Sequence, residues 1–116
     1  NRLRSNMATT VKQLVPPKVA ETSVTSQYSP SLVKAIIDKA TVTNTTSGNL
    51  ALSVYLVDAY EPPGDSNLIV KQRAIAPSEC YTLPELVGQV IESAGYIATL
   101  ASGTGLTIMF SGREIS

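Results

Sequence analysis

Apolar and polar residues alternate along several stretches of the chain. In NLALSVYLVDA, residues 49–59, an apolar residue stands at every second position. Period two is the spacing at which successive side chains of a strand point to opposite faces of a sheet. We therefore predict a strand here, whose core-facing residues are Leu50, Leu52, Val54 and Leu56. The opposite face carries Ala51, Ser53, Tyr55 and Val57.

The same alternation recurs in TGLTIMFSGREI near the end of the chain and in KATVTN, although Asp38 interrupts the pattern just before the second stretch. Short turn clusters rich in Gly, Pro, Asn and Ser separate the periodic stretches. We predict about eight strands, near residues 10–15, 19–28, 32–43, 50–60, 67–75, 79–83, 94–101 and 105–115. This spacing predicts an all-β fold, a single antiparallel β-sandwich or jelly roll.

One segment departs from this pattern. In TLPELVGQVIESAG, residues 82–95, apolar residues fall at helical spacing after Pro84, but Gly88 interrupts them after one turn. We predict a crossing loop with a single helical turn.

Charge is unevenly distributed although its total is zero. The chain has 116 residues, with nine Lys and Arg against nine Asp and Glu. Every charged side chain among the first twenty residues is Lys or Arg. This basic start contains Pro16-Pro17 and shows little strand pattern before Thr10. We therefore predict an extended basic N-terminal arm over residues 1–18 and a β-sandwich domain over residues 19–116.

Composition also bears on partners. A net charge of zero gives no strong attraction to nucleic acid, and the aromatic residues are not interleaved with Lys or Arg. No apolar run approaches the roughly 20 residues of a membrane-spanning helix. The first ten residues have no apolar signal region. We expect a soluble protein that binds neither nucleic acid nor membrane, and we find no sign of secretion.

The residues of common catalytic centres are missing. The chain has no histidine, which excludes Ser-His-Asp and Cys-His arrangements. Ser31 and Lys34 match the S-x-x-K pattern, but the S-D-N and K-T-G partners of that pattern are absent. We interpret the single Cys80 as a buried structural residue, because free cysteines are among the most buried residue types. We expect no enzymatic activity and no cofactor.

A loop with five oxygen-bearing side chains follows the strand at residues 50–60. Calcium loops space their ligands regularly, whereas here the carboxylates are three and four residues apart with two prolines between them. Pro62-Pro63-Gly64-Asp65 instead suits a turn. We predict a solvated hairpin connection, and no metal site, from Asp58, Glu61, Asp65, Ser66 and Asn67.

Several motifs between residues 32 and 116 resemble those of small virion structural proteins of tailed bacteriophages. They are TNTT (43–46), YLV (55–57), a turn of the form APxExY (76–81), a strand that opens with Gly95 and closes with Ala101-Ser102, and SGxEI (111–115). The motifs describe strands and turns and contain no catalytic signature.

The resemblance implies a β-sandwich on the capsid surface of a virion, assembled in the host cytoplasm. Such proteins serve as capsid decoration or cement proteins, and others are tail or fibre components, including receptor- or carbohydrate-binding modules. The implied partners are the major capsid protein and copies of the chain itself, as a homo-oligomer. Within the basic arm, we expect Arg2 and Arg4 to contact an acidic shell surface, and Leu3 and Met7 to fill apolar pockets there.

Overall fold

The computed structural model describes residues 8–116, which fold into nine β-strands arranged as two antiparallel sheets. The strands are β1 (Thr9–Val19), β2 (Thr25–Tyr28), β3 (Lys34–Asn44), β4 (Leu50–Val57), β5 (Leu68–Ile75), β6 (Cys80–Thr82), β7 (Val90–Ile91), β8 (Tyr96–Ala101) and β9 (Leu106–Ile115). Short 3₁₀ turns lie at Asp65–Asn67 and Pro84–Leu86. The predicted all-β sandwich is confirmed. No helix in this part of the chain is long and apolar enough to cross a membrane.

The strand order is that of a jelly roll. One sheet runs β1-β9-β3-β6, with the short β7 also paired to β3, and the other runs β2-β8-β4-β5. Apart from β7, strands pair from the outside of the sequence inwards: β1 with β9, β2 with β8, β3 with β6, and β4 with β5. This is a long hairpin folded over on itself, which splits its strands between two sheets and buries the face between them.

The core lies between the two sheets and follows the predicted alternation. Leu52 and Val54 of β4 are fully buried, and Leu50 and Leu56 pack against the core from its margin. The opposite face is less open than period two suggests, because Ser53 is also buried. Its hydroxyl accepts a hydrogen bond from the backbone N–H of Gln72, 2.9 Å away, at a break in the β4–β5 register. A bulge in the neighbouring strand therefore covers a position that alternation predicts to be exposed.

The N-terminal boundary predicted at residue 18 falls inside strand β1. Residues Thr9–Val19 pair antiparallel with β9, and Leu14 and Val15 are buried in the core. Residues 9–18 thus belong to the sandwich and not to an arm. The two prolines suggested an arm, but an edge strand tolerates Pro16 and Pro17 here, because its pairing with β9 is interrupted by a register shift between Val15 and Lys18.

Asp38 breaks the alternation of β3 because the strand bulges there. The pairing of β3 with β9 shifts register between Ile37 and Lys39. The extra residue points its carboxylate at Arg113 of β9, whose Nε and Nη2 donate hydrogen bonds of 3.0 and 2.9 Å to its two oxygens. The interruption seen in the sequence is therefore a bulge held by a bidentate ion pair.

The crossing segment contains the predicted single helical turn. Pro84–Leu86 form a 3₁₀ turn, Leu86 is fully buried, and Gly88 takes a φ of 83° that ends the turn. The sequence did not reveal β7, a two-residue strand that follows directly and pairs with Ala35 and Ile36.

Candidate interaction surface

The two ends of the sandwich carry different loops. Because β3 and β1 run antiparallel to β9, Asn44 and Val19 lie at one end with Leu106 and Thr107, while Lys34 and Thr9 lie at the other with Ile115. We call the first the turn end; it carries the connections 20–24, 45–49, 76–79 and 102–105. We call the second the loop end; it carries the connections 29–33, 58–67 and 92–95, together with Ala8 and Ser116.

Hydrogen bonds join two loops of the loop end directly. The N–H of Ala94 donates to the carbonyl of Pro30 at 2.9 Å, and the N–H of Leu32 donates to Oγ of Ser93 at 3.2 Å. The hydroxyl of Ser29 donates to the carbonyl of Gly95 at 2.6 Å. Connections 29–33 and 92–95 therefore form one bonded unit.

The third loop is linked to this unit through the start of β8. The phenol of Tyr96 donates to the carbonyl of Glu61 at 3.1 Å. A Cβ on Gly95 would come within 2.7 Å of the carbonyl oxygen of Val57, so the two chain segments approach too closely for any residue but glycine. The loop end is thus a continuous surface built from three connections.

Two large apolar side chains project from this surface into solvent. Leu32 is 92% exposed and Tyr60 is 96% exposed. Both have a φ of 65°, in the left-handed region that side-chain-bearing residues rarely adopt, and Ala94 in the connection 92–95 has a φ of 66°. Such a backbone costs about 1–2 kcal/mol per residue and persists only where neighbouring contacts impose it. The loops therefore hold these apolar side chains outwards at a cost in stability.

Two shallow cavities lie at the loop end, and Leu32 lines one of them. One, of about 300 Å³, is lined by Leu32, Val33, Lys34, Glu92, Ser93, Ile115 and Ser116. The other, of about 390 Å³, is lined by Leu56, Asp58, Ala59, Glu61, Ser66, Asn67 and Ile69. The first is bordered by the strongly exposed Leu32, and the second brings together part of the predicted hairpin loop.

The loop at residues 58–67 is a hairpin connection between β4 and β5, as predicted. The side-chain amide of Asn67 makes two hydrogen bonds within the loop. Its Oδ1 accepts the N–H of Gly64 at 2.9 Å, and its Nδ2 donates to the carbonyl of Pro62 at 2.9 Å. Asn67 therefore holds the turn together. Across residues 8–116, no three or more Cys, Asp or Glu side chains are grouped closely enough to hold a metal ion.

The residues predicted to bind a partner are Arg2, Leu3, Arg4 and Met7, and all four lie outside the described residues. The described chain begins at the loop end, where the carbonyl of Ala8 accepts the N–H of Ser116 at 3.0 Å. The described chain therefore starts at the same end as Leu32 and Tyr60.

A cluster of polar side chains joins the two sheets near the loop end. The phenol of Tyr28 in β2 donates to Oε2 of Glu114 in β9, and Lys12 Nζ of β1 lies 3.3 Å from the same oxygen. The hydrogen bond from Tyr28 is the largest of the effects that hold the pKa of Glu114 below its usual value. Burial, and then Glu114, raise the pKa of Tyr28. The neutral phenol and the charged carboxylate are therefore the paired forms.

Three other residues were considered for chemistry: Cys80, Ser31 and Lys34. Cys80 is exposed, which corrects the prediction that it is buried. In the three-residue edge strand β6, Tyr81 turns towards the core and the alternation leaves Cys80 on the solvent side. Lys34 Nζ lies 4.0 Å from Glu92, and Ser31 is exposed in the preceding connection.

Sequence reasoning missed Leu32 and Tyr60. Both fell inside segments predicted as strands, residues 32–43 and 50–60, where an apolar residue is expected. The available signal was their position: each is the large apolar residue next to a polar turn, after Ser31 in one case and before Glu61 in the other.

Comparisons of the chain with protein-family models, with curated proteins and with solved structures find no match. A functional proposal therefore rests on the chain's own residues.

Proposed function

We propose that the protein is a bacteriophage virion structural protein, of the decoration or cement type, which attaches to the major capsid protein shell through its loop end. The observation that carries the proposal is the pair of almost fully exposed apolar residues, Leu32 and Tyr60, held outwards on left-handed backbone. Exposed apolar and aromatic side chains on strained loops are typical of binding surfaces.

The fold is compatible with this role by analogy. Jelly rolls occur in viral capsid proteins and in lectins, and the fold alone does not determine which function a domain has. A rigid sandwich with few long loops suits a part that is added in many copies, since repeated modest contacts stabilise a shell collectively.

The basic residues Arg2 and Arg4 support an orientation in which the loop end faces the shell, because the described chain starts at that end. On this proposal they contact acidic shell surface, while Leu32 and Tyr60 are buried against the shell. Copies of the chain occupy the capsid surface of the virion after assembly in the host cytoplasm.

The test measures binding of the purified protein to capsids of the phage that encodes it. Leu32→Ser and Tyr60→Ser should each weaken binding severalfold, because each removes apolar area from the contact. The matched control is Val24→Ser, since Val24 is also exposed, at 42%, but lies at the turn end. Equal weakening by all three variants, or no binding by the unsubstituted protein, would contradict the proposal.

A tail or fibre module that binds carbohydrate is the second candidate, and one observation favours it. Tyr60 offers a fully exposed aromatic face, on which a sugar ring can stack. Copy number in purified particles separates the two: parity with the major capsid protein supports decoration, and a far smaller number supports a tail part. Glycan binding that Tyr60→Ser abolishes would favour the second candidate.

A further inference from the structure

Strand β1 leaves one edge of its sheet without a partner among residues 8–116. It lies at the end of the order β1-β9-β3-β6 and pairs only with β9. An unpaired edge presents a row of backbone N–H and C=O groups that another strand can bind.

The register identifies which residues of β1 present these groups. The N–H of Ser116 donates to the carbonyl of Ala8, so this pair bonds across the β1–β9 ladder. In an antiparallel ladder, bonded and non-bonded pairs alternate. Thr10 and Lys12 therefore point their backbone groups at β9, and the backbone groups facing away from the sheet belong to Thr9, Val11 and Gln13.

The other edges of the two sheets are interrupted or short. Strand β5 is eight residues long, but Gln72 within it has a φ of 49° and the pairing with β4 shifts register there. Strands β2, β6 and β7 have four, three and two residues. Within the part of the chain that the structure describes, residues 9–13 of β1 form the longest regular open edge.

The side chains along this edge suit pairing with an identical strand. Val11 stands at its centre and is 77% exposed. The positive charge of Lys12 is balanced within its own sheet by Glu114, 3.3 Å away. Beyond residue 15 the edge ends at Pro16 and Pro17, which have no N–H to donate.

We propose that two copies of the chain pair edge to edge through residues 9–13 of β1, antiparallel and with the two-fold axis at Val11. Val11 then bonds to Val11 of the second copy, and Thr9 bonds to Gln13 on each side of it. Thr10 lies opposite Lys12, so no like charges face each other. The contact is isologous and closes on itself, and it joins the two five-stranded sheets into one continuous sheet. This inference is independent of the proposed attachment to a capsid.

A proline substitution tests the pairing with little change in the fold. Val11→Pro removes an N–H that points away from β9, whereas Thr10→Pro removes one that the β1–β9 ladder uses. We expect sedimentation equilibrium to show concentration-dependent dimers of the unsubstituted protein. Val11→Pro should weaken association about tenfold or more, because it removes the donors at the centre of the contact. Val11→Thr, which keeps the N–H, should retain association.

Thermal melting verifies the orientation of the backbone groups. Thr10→Pro should lower the melting temperature clearly, and Val11→Pro should change it much less. If both lower it equally, the assignment of outward groups is wrong and the proposal fails.

Cross-linking locates the axis. In a Cys80→Ser background, a short bis-maleimide should link Val11→Cys between copies and should not link Val19→Cys, which is 48% exposed on the same strand but beyond the prolines. Deletion of residues 1–7 should leave association intact. A protein that stays monomeric at all concentrations, a dimer insensitive to Val11→Pro, equal linking at residues 11 and 19, or a dimer lost on deletion of residues 1–7 would each overturn the proposal.

Discussion

The turn end and the loop end of the sandwich use their polar and apolar residues in opposite ways. At the turn end, the fully buried Asn44 satisfies its side chain completely: Nδ2 donates to the carbonyls of Gly48 and Ile75 at 2.8 and 2.9 Å, and Oδ1 accepts the N–H of Thr46 at 2.9 Å. At the loop end, Leu32 and Tyr60 stand almost fully in solvent.

This difference concerns how each end contributes to the stability of the fold. Asn44 belongs to one sheet and Ile75 to the other, so a single amide joins the two sheets at the turn end. The left-handed residues of the loop end instead lower stability while displaying side chains that the core does not need. The Asn44 amide therefore stabilises one end of the sandwich, and the other end is the surface through which we propose that the protein binds a partner.

Removal of the Asn44 amide should have the largest effect on stability. Asn44→Ala leaves the buried carbonyl of Ile75 and the half-buried N–H of Thr46 without the side chain that binds them, and we expect a loss of about 3 kcal/mol in the free energy of unfolding. Denaturant unfolding measures it. The control, Asn49→Ala, changes an exposed residue of the same connection and should cost less than about 0.5 kcal/mol. Equal effects would mean that the buried network does not hold this end.

Glycine substitutions should have the next largest effect on stability, and that effect should differ between the two ends. Gly105 at the turn end has a φ of 137°, and a Cβ there would collide with the methyl group of Thr46. Gly105→Ala should therefore cost about 2 kcal/mol. Gly64 at the loop end is extended and has open space around its Cα, so Gly64→Ala should be close to neutral in the same denaturant measurement. A neutral Gly105→Ala would show that the turn end can relax.

The sequence predicted most of the framework because a two-sheet core imposes period two on its strands. Leu52 and Val54 could be assigned to the core from alternation alone, and the hairpin at residues 58–67 from its turn residues. The deviations arose where a neighbouring strand decides the environment: Gln72 covers Ser53, and β9 draws the Pro16-Pro17 stretch into a sheet. Such effects depend on which strands become neighbours, and a single sequence does not contain that information directly.

The interaction surface was predictable only in part, for a related reason. Leu32 and Tyr60 have the composition of strand residues, and only the left-handed backbone at each turns the side chain out of the sandwich. Backbone conformation at a loop depends on contacts made by other loops, here the hydrogen bonds from Leu32 and Ala94 across two connections. Local pattern cannot supply those contacts.

Relief of backbone strain at Leu32 should raise stability while it removes a side chain that we propose contacts a partner. Asparagine tolerates left-handed backbone better than leucine, so Leu32→Asn should increase the free energy of unfolding by about 0.5–1 kcal/mol. The same variant should bind capsids more weakly. Leu32→Ser should weaken binding without the gain in stability. A Leu32→Asn variant that is destabilised would mean that this side chain supports the fold and is not merely displayed.

Ion pairs should contribute least to the free energy of unfolding, and their contributions should still differ between the turn end and the loop end. At the turn end, hydrogen bonds from Lys18 and then Gln27, each 2.8 Å long, lower the pKa of Glu21 from 4.5 to about 2. The carboxylate is partly exposed, so solvent screening limits its contribution, and Glu21→Gln should cost only about 0.5 kcal/mol at neutral pH.

The pH dependence of that cost distinguishes the ion pair from a change in packing. Because the folded-state pKa of Glu21 lies below its unfolded-state value, the pair stabilises the fold fully above about pH 4.5, and the contribution is lost as the pH falls through about 2. The difference in unfolding free energy between the unsubstituted protein and Glu21→Gln should therefore disappear in acid. The control at the loop end is Glu92→Gln, since Glu92 lies 4.0 Å from Lys34 with both side chains mostly exposed, and it should have no measurable effect. A cost of Glu21→Gln that persists unchanged in acid would show that Gln27 and Lys18 bind the side chain by shape and not by charge.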